Sequence, residues 1–369
     1  MENLKTLLAL FLTTCVTTSP LFATRDKKPS GKTARVLSIN GGGIRGVIPT
    51  TIIDELSKQT QLHPSEQFDL IVGTSIGGIA SLALTTPSSN RPTEPAMSTQ
   101  DLVDLFSPTN AAEIFKAGYY KKLVSFMGLW DEKYDAAGLE TLLQQKLGTT
   151  PLSSTLTPVI ATAFELESHK PYFFKSWKAQ QDSNSDFLRW HVGRATSAAP
   201  VYFEPSGFGS VQKPSDIKYY IDGGVVANNP SMVAYSAAKR LYPDADNIFV
   251  MSLDTGTTHK TISGPQARNW GITKWAVPLM DIMFSGLDAI PVYQLKQFLE
   301  HDAEAEGKHS NYVHFSTTLD PQNAGMDDVR PENIEALKKS ARQTIRDNQE
   351  TFDNVCETLR TRRHYAPRG

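Results

Sequence analysis

The chain has 369 residues, 40% of them hydrophobic, which is ample for one large globular domain, or for one domain with a helical appendage. Lys and Arg number 37 against 39 Asp and Glu, a formal charge of −2, so no field exists for holding nucleic acid. The 2 cysteines and the absence of clustered His or Cys exclude a disulfide framework and a zinc site; no acidic loop asks for calcium, and no cofactor is expected.

Residues 1–23 open with a weakly charged hexapeptide, continue through the apolar run Leu7 to Leu12 and end at Pro20-Leu21-Phe22-Ala23. That is the layout of a secretory signal peptide, and its apolar part is too short to span a bilayer. It predicts a secreted or periplasmic protein in which cleavage after Ala23 removes Cys15 and leaves Cys356.

Val36-Leu37-Ser38-Ile39 reads as a strand ending in Asn40-Gly41-Gly42-Gly43-Ile44-Arg45-Gly46, with Pro49 suited to the first turn of a following helix. Successive glycines at a helix N-terminus present backbone N–H groups to an anion, and in acyl transfer that anion is the oxygen of the tetrahedral intermediate. Gly41, Gly42 and Gly43 are the candidate donors. Arg45 either joins them or pins the loop through its carbonyls. The same loop satisfies G-x-G-x-x-G, the dinucleotide fingerprint, which also asks for an acid about 20 residues on, at the end of the next strand. Asp69 has the spacing but stands at that strand's start.

The next strand, Phe68 to Val72, runs into Gly73-Thr74-Ser75-Ile76-Gly77. A G-x-S-x-G turn exposes a serine nucleophile at a strand end, and Gly73 and Gly77 are small because strand and helix backbones cross closely there. Beyond a polar loop from Thr85 to Thr99, the stretch Phe115 to Trp130 mixes aromatics with lysines, a composition suited either to a lipid–water interface or to a core. Strand-like Val159–Phe164, Tyr172–Trp177 and Asn247–Leu253 alternate with helical Asp186–Ser197 and Ser231–Leu241, which predicts a mostly parallel sheet with helices on both faces. The tract Lys178–Ser185 reads as a surface loop.

A β-prone run from Tyr219 ends in Asp222-Gly223-Gly224, making Asp222 the candidate base, while Asn229-Pro230 reads as an N-cap and first helical residue. The apolar Trp275–Leu299, interrupted by Pro278 and Pro291, is a second stretch for membrane contact or burial. Past Pro331, apolar residues from Ile334 to Leu359 fall on one stripe and predict a long closing helix.

Together the glycine loop, the G-x-S-x-G serine and the D-G-G aspartate resemble the patatin-like phospholipase family. Leu37 to Gly46 and Arg194-Ala195-Thr196-Ser197-Ala198-Ala199-Pro200-Val201-Tyr202-Phe203 are similar to the plant patatins themselves, so the likeness spans residues 34–256. Asn40 departs from it, standing where those proteins have an aspartate. The resemblance implies a three-layer α/β/α fold with a mostly parallel central sheet, residues 34–256 as catalytic core and 257–369 as its mainly helical completion. It also implies a Ser75–Asp222 dyad that cleaves acyl esters of phospholipids or other glycerolipids at a membrane or micelle surface, with no protein partner called for. Two alternatives stay open: a Ser-His-Asp α/β-hydrolase using Asp222 or Asp254 with His259 or His314, and a storage or binding protein without catalysis.

Overall fold

A computed structural model describes residues 31–115, 134–258, 261–305, 311–361, 363 and 365. The signal-like segment, His259 and nearly all of Phe115–Trp130 lie outside the described residues. Residues 32–369 form one compact unit.

Eight strands build one mixed sheet: β1 (Thr33–Ile39), β2 (Leu70–Thr74), β3 (Val159–Glu165), β4 (Lys170–Lys175), β5 (Ser206–Phe208), β6 (Lys218–Asp222), β7 (Asn247–Leu253) and β8 (Tyr312–Phe315). Their order is β5-β6-β3-β2-β1-β7-β8, with β4 also on β3. The strands β3-β2-β1-β7-β8 run parallel; β4, β5 and β6 are antiparallel to their neighbours.

Two apolar clusters on opposite faces of the sheet make the three layers. Leu37, Ile39 and Ile71 point into one, with the helices Val47–Thr60, Ile76–Thr85, Ala137–Leu147, Pro331–Asp347 and Gln349–Leu359. The alternate residues Ala34, Val36, Leu70 and Val72 point into the other, with Ser231–Leu241 and the later half of Ile272–Ala305, through Leu295 and Leu299. The α/β/α architecture with a mostly parallel sheet is therefore present, and its strand period is plain in the sequence.

Three local readings change. The closing segment is two helices, broken at Asn348, which leaves helical dihedrals while its side-chain amide bonds back to the Thr344 carbonyl at 2.8 Å. Lys178–Ser185 is largely helical, in Ser176–Gln181 and the 3-10 turn Ser183–Ser185. A one-turn helix, Gly224–Ala227, follows Asp222 directly, and the longer helix starts at Ser231, one residue later than the proline predicts, yet Asn229 still accepts from the Ser231 N–H at 3.0 Å.

The strand register positions the candidate site. β4 lies along β3 from Ile160 to Glu165, so β2 and β6 must share the opposite edge. β2 takes Val159 to Thr162, with Thr74 beside Thr162; β6, running the other way, takes Ala163 to Glu165, with Asp222 beside Ala163. The two strands meet end to end. Phe352, buried beneath the sheet against Phe315 at 6.0 Å between ring centres, ties the last helix to this core. Phe352→Ala should cost about 3–5 kcal/mol in a denaturant unfolding curve; a cost below 1 kcal/mol would show the C-terminal helices to be dispensable.

Candidate active site

Because β2 and β6 converge on one edge of β3, the residue following Thr74 faces the last residue of β6. Those residues are Ser75 and Asp222. Ser75 holds φ 56° and ψ −124°, a region that side chains other than glycine's rarely occupy. The backbones cross closely around it: a Cβ at Gly73 would strike the Gly77 carbonyl, and one at Gly77 would strike the carbonyls of Ile39 and Asn40. The Ser75 N–H donates to Thr196 Oγ1 at 2.9 Å.

Asp222 is buried. Its backbone N–H donates to the Ala198 carbonyl at 2.9 Å, and its Oδ1 accepts the Gly224 N–H at 2.7 Å. Desolvation pushes its pKa up from 3.8 to about 7, against the hydrogen bonds it receives from the Ser75 hydroxyl and Gly224. Gly223 is needed for the exit from β6, since a side chain there would run into Thr162 of β3. Thr162 in turn shares a 2.7 Å hydroxyl contact with Thr74, whose Oγ1 donates to the Ala227 carbonyl at 2.6 Å.

The glycine loop lies alongside, because β1 neighbours β2 and ends level with it, Ile39 pairing with Gly73. A Cβ added at Gly41 would come within 3.1 Å of the Ser75 Cβ. The loop's members separate by role. Gly41 donates its N–H to the Asn228 carbonyl at 3.1 Å, and so is committed elsewhere than to an oxyanion. Among the described residues neither Gly42 nor Gly43 has an acceptor for its N–H. Arg45 follows the pinning alternative: its guanidinium donates to the carbonyls of Gly42 at 3.4 Å and Gly256 at 3.1 Å. Thr255 closes the turn by donating to the Gly41 carbonyl at 2.7 Å, and its side chain fills the space a Cβ at Gly42 would need.

The competing readings fare differently. Asp69 lies at the far end of β2 from the glycine loop and accepts the Arg35 and Tyr365 N–H groups at 2.8 and 3.0 Å, a structural task. His314 lies on β8, three strand spacings or about 14 Å from β2. It pairs with Ser252 Oγ at 3.1 Å and stands 3.9 Å from Asp254, which accepts from Ser316 and Gly256. Among the described residues no three His, Cys, Asp or Glu are placed to hold a metal ion.

Several contributors escaped the motif reading. Thr196 and Ala198 lie within the Arg194–Phe203 segment and hold the backbones of Ser75 and Asp222 respectively, so the segment's likeness to plant patatins was their signal. Asp288, on the helix Ile272–Ala305, accepts Asn228 Nδ2 at 2.9 Å and Asn40 Nδ2 at 3.3 Å. Nothing in the sequence marks it. Ile76, next in chain to Ser75, lines a small apolar cavity of about 20 Å³ with Ile79, Phe106, Leu139 and Leu143, and Lys146 stands beside them.

If Asp222 accepts the Ser75 proton, only its ionised form works. Since burial raises its pKa, kcat/KM for a neutral ester should rise with pH, inflect near 7 and fall about tenfold per unit on the acid side. A profile flat from pH 5 to 8 would remove Asp222 as the titrating base.

The family model for patatin-like phospholipase matches residues 37–235. Patatin-like protein 4 of Arabidopsis thaliana is 30% identical over 85% of this chain and 84% of its own length. Patatin-12 of Solanum tuberosum is 28% identical over 96% and 95%, and a potato relative named probable inactive patatin-3-Kuras 1 is 28% identical over 91% and 93%. Among solved structures VipD from Legionella pneumophila aligns over 86% of this chain and 67% of its own with TM-score 0.38 and 12% identity, too distant to inform the site. The chain belongs to the patatin-like phospholipase family.

Proposed function

We propose that this protein is a secreted lipid acyl hydrolase that cleaves carboxylic esters of phospholipids or other glycerolipids with a Ser75–Asp222 dyad. The observation that carries the reading is the convergence of Ser75, held at positive φ, on a buried aspartate where two strands meet end to end.

In the first half-reaction the Ser75 hydroxyl attacks the acyl carbonyl and passes its proton to Asp222. The carbonyl oxygen becomes an oxyanion, held by the N–H groups of Gly42 and Gly43. As the tetrahedral adduct collapses, the carbon–oxygen bond to the alcohol breaks and Asp222 returns its proton to the departing alkoxide. Water then attacks the acyl-enzyme, its proton going to Asp222, and collapse releases the fatty acid as Ser75 regains its proton from Asp222. A carboxyl that titrates near 7 serves as base in one step and acid in the next.

Substrate arriving at a membrane or micelle surface is supported by the outward face of Ile272–Ala305, where Leu279, Ile282, Met283, Ile290 and Tyr293 are exposed, Tyr293 to 67%. Export rests on the signal-like layout of residues 1–23.

The relative named probable inactive favours one other reading, a patatin-like fold without catalysis. The test for both is hydrolysis of a short-chain nitrophenyl ester and of mixed glycerolipid micelles. Ser75→Ala and Asp222→Asn should each abolish turnover, whereas His259→Ala and His314→Ala should retain it within about threefold. Equal activity in Ser75→Ala removes the nucleophile, and a loss of about a thousandfold at either histidine, the scale of a triad member, removes the dyad.

A further inference from the structure

The helix Ile272–Ala305 carries two unlike faces past the site. Leu295 and Leu299 pack into the core cluster under Ser231–Leu241, and Phe284 lies against Gly224, two residues beyond Asp222. Between these anchors Asp288 turns inward just before Pro291. Its Oδ1 accepts two amide groups, Asn228 Nδ2 at 2.9 Å and Asn40 Nδ2 at 3.3 Å, and its backbone carbonyl accepts Asn229 Nδ2 at 3.2 Å.

The three asparagines are buried and stand at two separate places in the chain. Asn40 is the residue between β1 and the glycine loop. Asn228 and Asn229 end the turn that begins at Asp222. The carbonyl end of the Asn228 side chain packs against Gly41 and Gly224, while its backbone carbonyl takes the Gly41 N–H at 3.1 Å. One carboxylate oxygen thus fastens the loop that presents Gly42 and Gly43 to the loop that presents Asp222.

We infer that Asp288 is a positioning residue for ester hydrolysis: through Asn40 and Asn228 it holds the oxyanion donors and the base in fixed relation to each other. The inference rests on the Ser75–Asp222 reading. Asp288 touches neither Ser75 nor Asp222 in any described hydrogen bond, so it acts on the chemistry through the two asparagines. Burial raises its pKa to about 7, against the Asn228 hydrogen bond, and a neutral side chain that keeps the accepting oxygen serves the same purpose. What matters is an acceptor at this point, since Asn40 and Asn228 would otherwise keep buried N–H groups without partners.

That separates three variants. Asp288→Asn keeps the oxygen and should hold kcat within about threefold of wild type. Asp288→Ala removes it and should lower kcat by about 10–100-fold, the scale of a misplaced catalytic group, with KM changed less than about threefold. Amide hydrogen exchange, read on the same proteins and on Ser75→Ala, should show faster exchange in residues 40–46 and 222–229 together in Asp288→Ala, and in neither segment in Asp288→Asn. If Asp288→Ala keeps wild-type kcat, if Asp288→Asn is as weak as Asp288→Ala, or if only one of the two segments loosens, the inference fails. Absence of esterase activity in the wild type would overturn the dyad reading instead, and the exchange data would still decide whether Asp288 ties the loops.

Discussion

The structure depends on a competition for one edge of β3. β4 occupies the other edge over six residues, so β2 and β6 divide the remaining one between them, four residues to β2 and three to β6. Neither strand can lengthen without displacing the other's end. A parallel strand followed by a helix and an antiparallel strand followed by a tight turn are thereby aimed at each other across a gap of one residue. In a doubly wound sheet, reactive groups gather at strand C-terminal ends, and here two strands of opposite direction supply such ends at the same point. In the proposed mechanism, that arrangement lets a serine and a carboxylate work without a histidine between them.

The glycines around this point answer to backbone carbonyls rather than to substrate. Gly73 and Gly77 allow β2 and its helix to cross against the ends of β1, and Gly223 allows the chain to leave β6 against Thr162. Gly43, at φ 59°, lies against the Met326 carbonyl, which also accepts the Ile44 N–H at 2.9 Å. The long glycine loop is consequently fixed from outside, by Arg45, Thr255, Met326 and the Asn228 turn. Its N–H groups are preorganised, the condition under which such dipoles stabilise developing charge without reorganising.

How far the sequence was legible follows from which interactions are local. The strand and helix periods, the G-x-S-x-G elbow and the glycine loop are written in contiguous residues, and each appears where its motif predicts. Asp222 is also local, since a β-prone run meeting two glycines has a physical reason to stop there. Roles within the loop were not legible, because whether Gly41 or Gly42 has a free N–H depends on Asn228, far along the chain. Asp288 was invisible for the same reason: an aspartate in an apolar helix with two prolines gains meaning only when three asparagines from elsewhere converge on it. The break at Asn348 is not legible because the apolar stripe continues through it unchanged.

Two features at the point of convergence work against stability. Ser75 is held at a positive φ, which costs on the order of 1–3 kcal/mol for a residue with a side chain. Asp222 is desolvated, its pKa raised from 3.8 to about 7. A carboxyl with a raised folded-state pKa binds its proton more tightly in the folded chain. The penalty is therefore absent below pH 3.8, grows as pH rises and is complete above 7, at on the order of 4 kcal/mol. Glycine at 75 and an uncharged residue at 222 would relieve both costs while leaving the glycine contacts, the Thr74–Thr162 pair and the core in place. In the proposed mechanism both costs have a use where they meet, beside backbone N–H groups left without acceptors among the described residues: a serine held at positive φ is presented to the acyl carbonyl, and a desolvated carboxylate is a stronger base for its proton.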